Sequence, residues 1–517
     1  MGRFQVKVKT TPYRHGNTRR VRAQATEDSC FQVGVTPSCI MDSLPSEIVE
    51  HILCDAATSI DACSPRWLAT TPLTLGQVCY RWRQIVYSPM FQQPWSFVPV
   101  ILHHNQTRVV EQGYFISEWI ARCNPEDPLD IFVTTPADNP VRPWACGADA
   151  APPFQRLRVE GGRWKHVYIQ SPPEVHCDDC INEVVTRMFT FDASLGSLPP
   201  FSRLEHLSIH GNLEDFKITI LMQLPALVEL TLAAADREDP PGWFDSEGLE
   251  DFQTTSLRRL TVKNFIVHCA AVLLILAPNV ENVTLTNTAG QTSFIADGFP
   301  MDALSKLKVL TIIRHTPTIQ LIRNRKDFAN ILELITHSSL PCLEELWIND
   351  TTKDKSVQKR LPNLLSRVSL TLKQFAMPIH ADFDTNSLQR VLKALSKARR
   401  LDRLRLCNAE TRAGLVQNVD ATIGHLVDGL KKQRGSADLF SRLGILEYYT
   451  PSLDSSTFDS ITGLARDICQ LRISAGESTY PFLQLHLPLA ARESYEQRVT
   501  EGQSKQGLDV LFDLERA

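Results

Sequence analysis

The 517-residue sequence has little net charge, no long apolar run and no evident cysteine framework. A formal charge of −4 at pH 7 argues against a nucleic-acid-binding protein, in which a basic domain is expected. No apolar run approaches the roughly 18 residues that a membrane-spanning helix needs. The 13 cysteines are scattered, as is typical of a protein whose thiols stay reduced. We therefore expect a cytoplasmic or nuclear protein that binds neither a membrane nor a nucleic acid.

Signatures of common enzymes are also missing. The sequence contains no G-x-x-x-x-G-K-[ST], no G-x-S-x-G and no H-E-x-x-H, so phosphate-loop, hydrolase and zincin functions lack their anchoring residues. His176 precedes a C-x-x-C pair, Cys177 and Cys180, but a structural zinc ion usually needs a second pair, and none follows at a usual spacing. We expect a non-catalytic protein without cofactor or metal, in which these cysteines are free thiols of a loop.

Residues 41–95 have the pattern of two short amphipathic helices. Pro45 suits a first helical turn, where its missing N–H is no loss, and the polar insert at about 58–72 is expected to be a surface loop. Helices this short need a neighbouring domain or a partner for stability. The first apolar face comprises Ile48, Val49, Ile52, Leu53 and Ala56, and the second comprises Leu75, Val78, Cys79, Trp82, Ile85 and Val86.

This region resembles the F-box, in the F-box-like form common in fungal proteins. The string LPSEIVEHIL, the later LGQVCYRWRQIV and the following Trp95 carry the resemblance. It implies docking on the Skp adaptor subunit of a cullin-based ubiquitin ligase through an apolar patch. The alternative is a helical hairpin that only caps the next domain. The sequence leaves open which residues face an adaptor and which the core. Candidate adaptor-binding residues are Leu44, Pro45, Ile48, Val49, Leu53, Val78 and Trp82.

Two terminal segments differ from the rest of the chain. Residues 1–40 are basic, with no acidic residue before Glu27, and are expected to form a disordered tail. A mitochondrial presequence or a nuclear-localisation patch at 19–22 would also fit this composition. Residues 491–517 are mostly polar, and their GLDVLFDL segment is expected to close the domain as a cap.

Residues 96–490 contain a recurring pattern of an apolar residue, two residues, a second apolar residue, one residue and a third. We call the second apolar residue of each copy the marker. Successive markers lie about 23 to 42 residues apart, which is the leucine-rich-repeat signature at irregular period. The markers are Val167, Leu207, Leu230, Leu260, Val283, Leu310, Leu346, Phe375, Leu404, Leu446 and Leu471.

The repeats predict an α/β fold, in which each unit has a short strand whose apolar face only the next unit can cover. Strands are also predicted in 94–102, 128–134 and 163–170, with a helix over 107–122. The expected architecture is an N-terminal helical F-box followed by an irregular solenoid with a parallel sheet on its concave face. A generic α/β domain is the alternative. Only Asn212 stands at the usual asparagine position, five residues after its marker, whereas Asn264 and Asn287 miss it.

The residues on either side of each marker should point to solvent and could bind a target protein. Tryptophan, tyrosine and arginine dominate binding hot spots, which makes Trp347, Arg403, Arg405 and Tyr449 the candidate target-binding residues. Together with Arg259 and Lys263, the two arginines suggest an acidic or phosphorylated ligand. The sequence does not identify the target. The resemblance thus implies a substrate-recognition adaptor that binds a Skp-type subunit, and through it a cullin; the alternative is a protein-binding scaffold outside any ligase.

Overall fold

A computed structural model of the chain describes most of the residues between 44 and 513. The chain divides into two compact units, Met1–His51 and Ile52–Ala517. The described residues are 44–58, 65–88, 91–101, 106–134, 151–170, 184–185, 188–189, 201–211, 213, 218–234, 253–288, 302–314, 332, 335–336, 338–350, 355–379, 390–391, 393–395, 397–408, 443–449, 463, 483–488 and 508–513. The predictions for residues 1–40 and for the cysteine pair at 177 and 180 lie outside them.

Helix α1 spans Ser46–Thr58 and begins directly after Pro45. The backbone N–H groups of Ile48 and Val49 both donate to the carbonyl of Pro45 at 3.1 Å, which closes the first turn. Proline at this position costs no hydrogen bond, because the first N–H groups of a helix have no partner within it. The first predicted helix is therefore present.

The second predicted helix is split into two. Helix α2 spans Pro65–Val78 and helix α3 spans Tyr80–Val86. Cys79 lies between them in an extended conformation, with φ −155° and ψ 171°, and its sulfur accepts a hydrogen bond from the backbone N–H of Trp82 at 3.4 Å. A single continuous helix through Cys79 was therefore a wrong prediction, because this residue acts as the N-cap of α3.

The surface loop predicted for about 58–72 is also wrong from Pro65 onwards. Pro65 opens α2 at a position where its missing N–H is no loss, and Pro72 is accommodated inside the same helix. Thr71 is 2 % exposed, so this part of the insert belongs to the interior. Two prolines among small residues suggested a loop, whereas one of them starts the helix.

Fourteen described strands form one parallel sheet, in which their order is the order of the chain. Helix α4, Gln106–Ile120, lies between the first two strands in the chain, and helix α5, Ala151–Val159, lies between the second and third strands. Helices α6, Val267–Leu276, and α7, Lys355–Val368, come later in the chain. The strands are β1 Phe97–Ile101, β2 Leu129–Thr134, β3 Trp164–Gln170, β4 His206–Gly211, β5 Glu229–Ala234, β6 Arg259–Lys263, β7 Asn282–Thr286, β8 Val309–Arg314, β9 Glu345–Asp350, β10 Gln374–Ile379, β11 Arg403–Asn408, β12 Ile445–Tyr449, β13 Leu483–Pro488 and β14 Leu508–Asp513.

The markers are in register across this sheet. Consecutive markers from Val167 to Leu446 are paired directly with each other. Their side chains are at most 3 % exposed, so each one covers its neighbour. The architecture is that of a leucine-rich-repeat-like solenoid. The predicted marker Leu471 lies outside the described residues, and the strand that pairs with β12 is β13, in the sequence LQLHLP.

A continuous backbone ladder accounts for this register despite the unequal repeat lengths. In most units the carbonyl group two residues before the marker accepts hydrogen bonds from two successive N–H groups of the next unit. The carbonyl of Val228, for example, accepts from Arg258 at 2.9 Å and from Arg259 at 3.0 Å. Because these bonds fix only the start of each strand, the segments between strands can differ in length.

Two asparagines that miss the usual repeat position nevertheless form a side-chain ladder. Asn264 and Asn287 directly follow β6 and β7 and have left-handed backbones, with φ 61° and 49°. The Asn264 amide donates to the carbonyl of Ala234 at 2.8 Å, and the Asn287 amide donates to the Asn264 side-chain oxygen at 3.2 Å. Asparagine tolerates this conformation better than most residues, so the ladder also fixes where these strands end.

Candidate functional site

The face of the sheet opposite the buried markers carries the candidate site. We call it the open face and define it by the residues immediately before and after each marker. Along the strands its chemistry changes from histidine and carboxylate groups, through threonines, to tryptophan and arginine. The residues after the markers from β3 to β12 are Tyr168, Ser208, Thr231, Thr261, Thr284, Thr311, Trp347, Ala376, Arg405 and Glu447.

Three of the four predicted target-binding residues lie in one group. The guanidinium of Arg405 lies over the indole of Trp347, with its carbon 4.6 Å from the ring centroid. Ala376, on the strand between them, is small enough for this contact and is only 2 % exposed. We call Glu345, Trp347, Ala376, Arg403, Arg405 and Glu447 the Trp347 cluster. The backbone of Tyr449 lies in β12, opposite Cys407, and its side chain lies outside the described ones.

Glu447 holds the cluster together from the next strand. Its carboxylate accepts a hydrogen bond from Nε of Arg405, and its other oxygen is 3.7 Å from Nε of Arg403. The indole N–H of Trp347 donates to Glu345 at 3.3 Å. Glu447 is only 6 % exposed, so its charge depends on the two arginines for compensation.

These pairs change the interpretation of the arginines. The sequence suggested that Arg259, Lys263, Arg403 and Arg405 attract an acidic or phosphorylated ligand. In the structure Arg403 and Arg405 share Glu447, and Nε of Arg259 donates to Glu229 at 2.6 Å. Because each of the three arginines already has a carboxylate partner, the arginines by themselves do not indicate an acidic ligand. The Trp347 cluster is better described as a rigid aromatic and guanidinium surface.

A second group lies on strands β2–β5. Nδ1 of His166 is 2.7 Å from Asp130, and Nδ1 of His206 is 3.5 Å from Glu229. The two imidazole rings are neighbours, with centroids 6.0 Å apart, and the ring of Tyr168 lies 5.1 Å from His206. Burial lowers the pKa of His206, although the Glu229 carboxylate opposes this, and burial with the nearby carboxylates raises the pKa of Tyr168.

The rule that residues beside a marker point to solvent covers His206 and Glu229, but the sequence reasoning did not connect them with Asp130 and His166. The sequence contained a signal, because each of the four residues stands immediately before an apolar residue. Those apolar residues are paired in succession across the strands, from Ile131 to Leu230. Extending the repeat alignment back to the PLDIFVT strand would have placed the four side chains side by side.

The predicted adaptor-binding residues are divided between interior and surface. Val49 and Leu53 are buried, at 0 % and 1 % exposed, so their side chains stabilise the fold. Ile48 is 46 % exposed and Val78 58 % exposed. Pro45 is also exposed, whereas Leu44 and Trp82 are half-buried.

Trp95, which follows the second predicted helix, has a structural role that its place in the motif did not reveal. Its indole N–H donates to the carbonyl of Val86 at 2.9 Å. Its own carbonyl accepts from the indole of Trp119 at 2.8 Å and lies 2.9 Å from Sγ of Cys123. The two indoles pack edge to face at 4.6 Å. Trp95 therefore ties α3 to α4 beside the first strand.

Comparisons with known proteins provide little further information. No family model matches the chain, and no curated protein matches it. Among solved structures, a match to a TLR13–ssRNA13 complex has 14 % identity and a TM-score of 0.25. It covers 63 % of this chain and 46 % of that one, less than half its length. At this similarity neither the fold nor the ssRNA of that complex carries an argument about this chain, whose architecture is established by its own strand register.

Two further properties of the described residues bear on the site. In the part of the chain that the structure covers, no helix is both long and apolar enough to cross a membrane. Within those same ranges, no group of three or more histidine, cysteine, aspartate or glutamate side chains is arranged to hold a metal ion.

Proposed function

We propose that this protein is a substrate-recognition adaptor of a Skp–cullin–F-box ubiquitin ligase. The resemblance of the sequence around α1 to α3 to an F-box suggests the role. The observation that supports it best is the exposure of large apolar side chains in that segment, Ile48 in α1 and Val78 at the end of α2. Apolar side chains kept in water indicate a surface for a partner. On this proposal the Skp-type subunit covers them.

The repeats would hold the target protein. In the Trp347 cluster, Arg405 is fixed between the indole of Trp347 and the carboxylate of Glu447. A fixed tryptophan and arginine lose little conformational entropy when a partner binds, which is the usual property of a hot spot. The protein would not catalyse ubiquitin transfer itself. It would raise the effective concentration of the target's lysines near the ubiquitin-carrying enzyme.

A specific observation favours the second function, that of a scaffold whose helices only cap the solenoid. Helices α2 and α3 pack against each other, and α2 also contacts β1 and β2. The hydrogen bond from Trp95 to Val86 fixes α3 to the segment that leads into β1. These contacts are the ones that a cap requires, and they account for α2 and α3 without a partner protein.

The two functions are separated by binding of a purified Skp-type adaptor to the intact chain, measured by calorimetry. Ile48→Asp places a charge on an exposed position of α1, so the fold should persist while adaptor affinity falls at least tenfold. The control is Tyr114→Asp in α4, where a large side chain that is 73 % exposed, against 46 % for Ile48, is replaced outside the F-box-like segment. No binding by the folded parent chain, or equal affinity of parent and Ile48→Asp, would refute the adaptor function.

A further inference from the structure

Four neighbouring strands contribute one symmetric row of side chains to the open face. Asp130, His166, His206 and Glu229 are directly paired from β2 to β5. The two histidines are in the middle, and each has a carboxylate on its outer side, at 2.7 Å and 3.5 Å from Nδ1. None of the interactions of the Trp347 cluster involves this row.

The flanking carboxylates determine which nitrogen of each imidazole carries the proton. A neutral histidine whose Nδ1 bonds to a carboxylate must carry its proton on Nδ1, because the carboxylate can only accept. Nε2, on the opposite edge of the ring, then has a free lone pair. The carboxylates engage the Nδ1 atoms of both rings, which leaves both Nε2 atoms to another ligand. Carboxylate–imidazole pairs of this kind orient the histidine ligands of metal ions.

The separation of the rings fits a shared ion. With a bond of about 2.0 Å between zinc and Nε2, the centroid of an imidazole lies about 3.2 Å from the metal. Two such ligands at tetrahedral to more open angles then have centroids about 5 to 6.4 Å apart. The observed distance is 6.0 Å, with the ring planes at 89°, so a tetrahedral angle at the ion requires the rings to approach each other by about 0.8 Å. The two rings can therefore bind one ion without a large movement of the strands.

We propose that His166 and His206 bind a divalent transition-metal ion of the zinc class through their Nε2 atoms, supported by Asp130 and Glu229. With two protein ligands, the site leaves the other coordination positions to water or to donor groups of a bound partner. Among the described residues the row does not form a metal site of three or more ligands, so the two imidazoles are the only protein ligands that we propose. Arg259 also pairs with Glu229, at 2.6 Å, and limits the negative charge of the row. The inference does not depend on the ligase function.

The test is a calorimetric titration of the full chain with zinc chloride, in which the free cysteines give a background common to all variants. We expect His166→Ala and His206→Ala each to weaken one zinc-binding event at least tenfold. The exposed histidine of α1 provides the control, and His51→Ala should bind like the parent. If the titrations of both histidine variants match the parent, zinc binds elsewhere and the proposal is wrong.

A second pair of variants tests the row without removing a ligand. Asp130→Asn and Glu229→Gln keep the shape of the side chains and should weaken the same binding event by about 10- to 100-fold. These changes leave both imidazoles in place. The amide variants therefore still test zinc binding by the row if an alanine variant fails to fold. Unchanged zinc affinity in both amide variants would contradict a site oriented by carboxylates.

Discussion

Arg405 stacks on Trp347 across an intervening strand, 4.6 Å from the indole centroid, and is held there by the buried carboxylate of Glu447. The contact joins strands whose residues are 58 positions apart in the chain and depends on the small side chain of Ala376 between them. It converts two side chains that are ordinarily mobile into one rigid surface.

Removing the charge of Glu447 should destabilise the fold more than removing that of an exposed carboxylate. Glu447→Gln leaves two arginines without their partner, and we expect a loss of about 1–2 kcal/mol, because both guanidiniums are about a third exposed and retain water. Glu344→Gln breaks the exposed pair with Lys373 and should cost less than about 0.5 kcal/mol. Urea unfolding of both variants measures the difference in unfolding free energy. Equal losses would show that the buried carboxylate of Glu447 contributes no more to stability than an exposed one.

The indole N–H of Trp95 should contribute to stability separately from the ring. Trp95→Phe keeps most of the apolar contact but leaves the carbonyl of Val86 without its donor, which should cost about 1–3 kcal/mol. Trp347→Phe is the control, since that indole is only half-buried. Thermal unfolding checks this prediction, and a Trp95→Phe chain as stable as the parent would mean that the hydrogen bond is dispensable.

Cys123 should be inert to alkylation in the folded chain. It is 4 % exposed, and burial raises the pKa of its thiol to about 12, so only about one thiol in 10⁴ is ionised at pH 8. Cys342 is exposed and should react readily with iodoacetamide at that pH. Peptide mapping before and after unfolding in urea makes the comparison. Equal labelling of the two cysteines in the folded protein would contradict the burial of Cys123.

The asparagine ladder should depend on both backbone conformation and side chain. Asn264→Ala places a residue that disfavours a φ of 61° there and removes the side-chain bonds to Ala234 and Asn287, at an expected cost of about 2 kcal/mol. Asn264→Gly also loses these hydrogen bonds but tolerates the backbone conformation, so its cost should be smaller. Chemical denaturation of the two variants separates these contributions; if the glycine variant were the less stable one, backbone strain would not be the reason for asparagine.

The repeat pattern predicted much of the fold because it is local. A marker flanked by polar residues specifies a strand with one buried face, and the paired markers from Val167 to Leu446 confirm that interpretation. The break at Cys79 was not predictable in the same way, since the apolar spacing of Leu75 to Val86 continues through it. Only the backbone of Cys79 reveals the boundary between α2 and α3.

The candidate site was less predictable, because it depends on pairs of residues far apart in the chain. Nothing near Glu447 indicates that it is buried between two arginines about 42 residues earlier. Likewise, only the strand register shows that Asp130 and His166 lie beside His206 and Glu229. Sequence spacing identified which side chains share a face, but not which of them would be neutralised by each other.

The most direct test of the adaptor function is hydrogen exchange of the intact chain with and without a saturating Skp-type adaptor. The proposal predicts slower amide exchange in α1 and at the end of α2, around Ile48 and Val78, and unchanged exchange in β9–β12, where the Trp347 cluster lies. Protection confined to the repeats, or no protection anywhere at saturation, would contradict docking through the F-box-like helices.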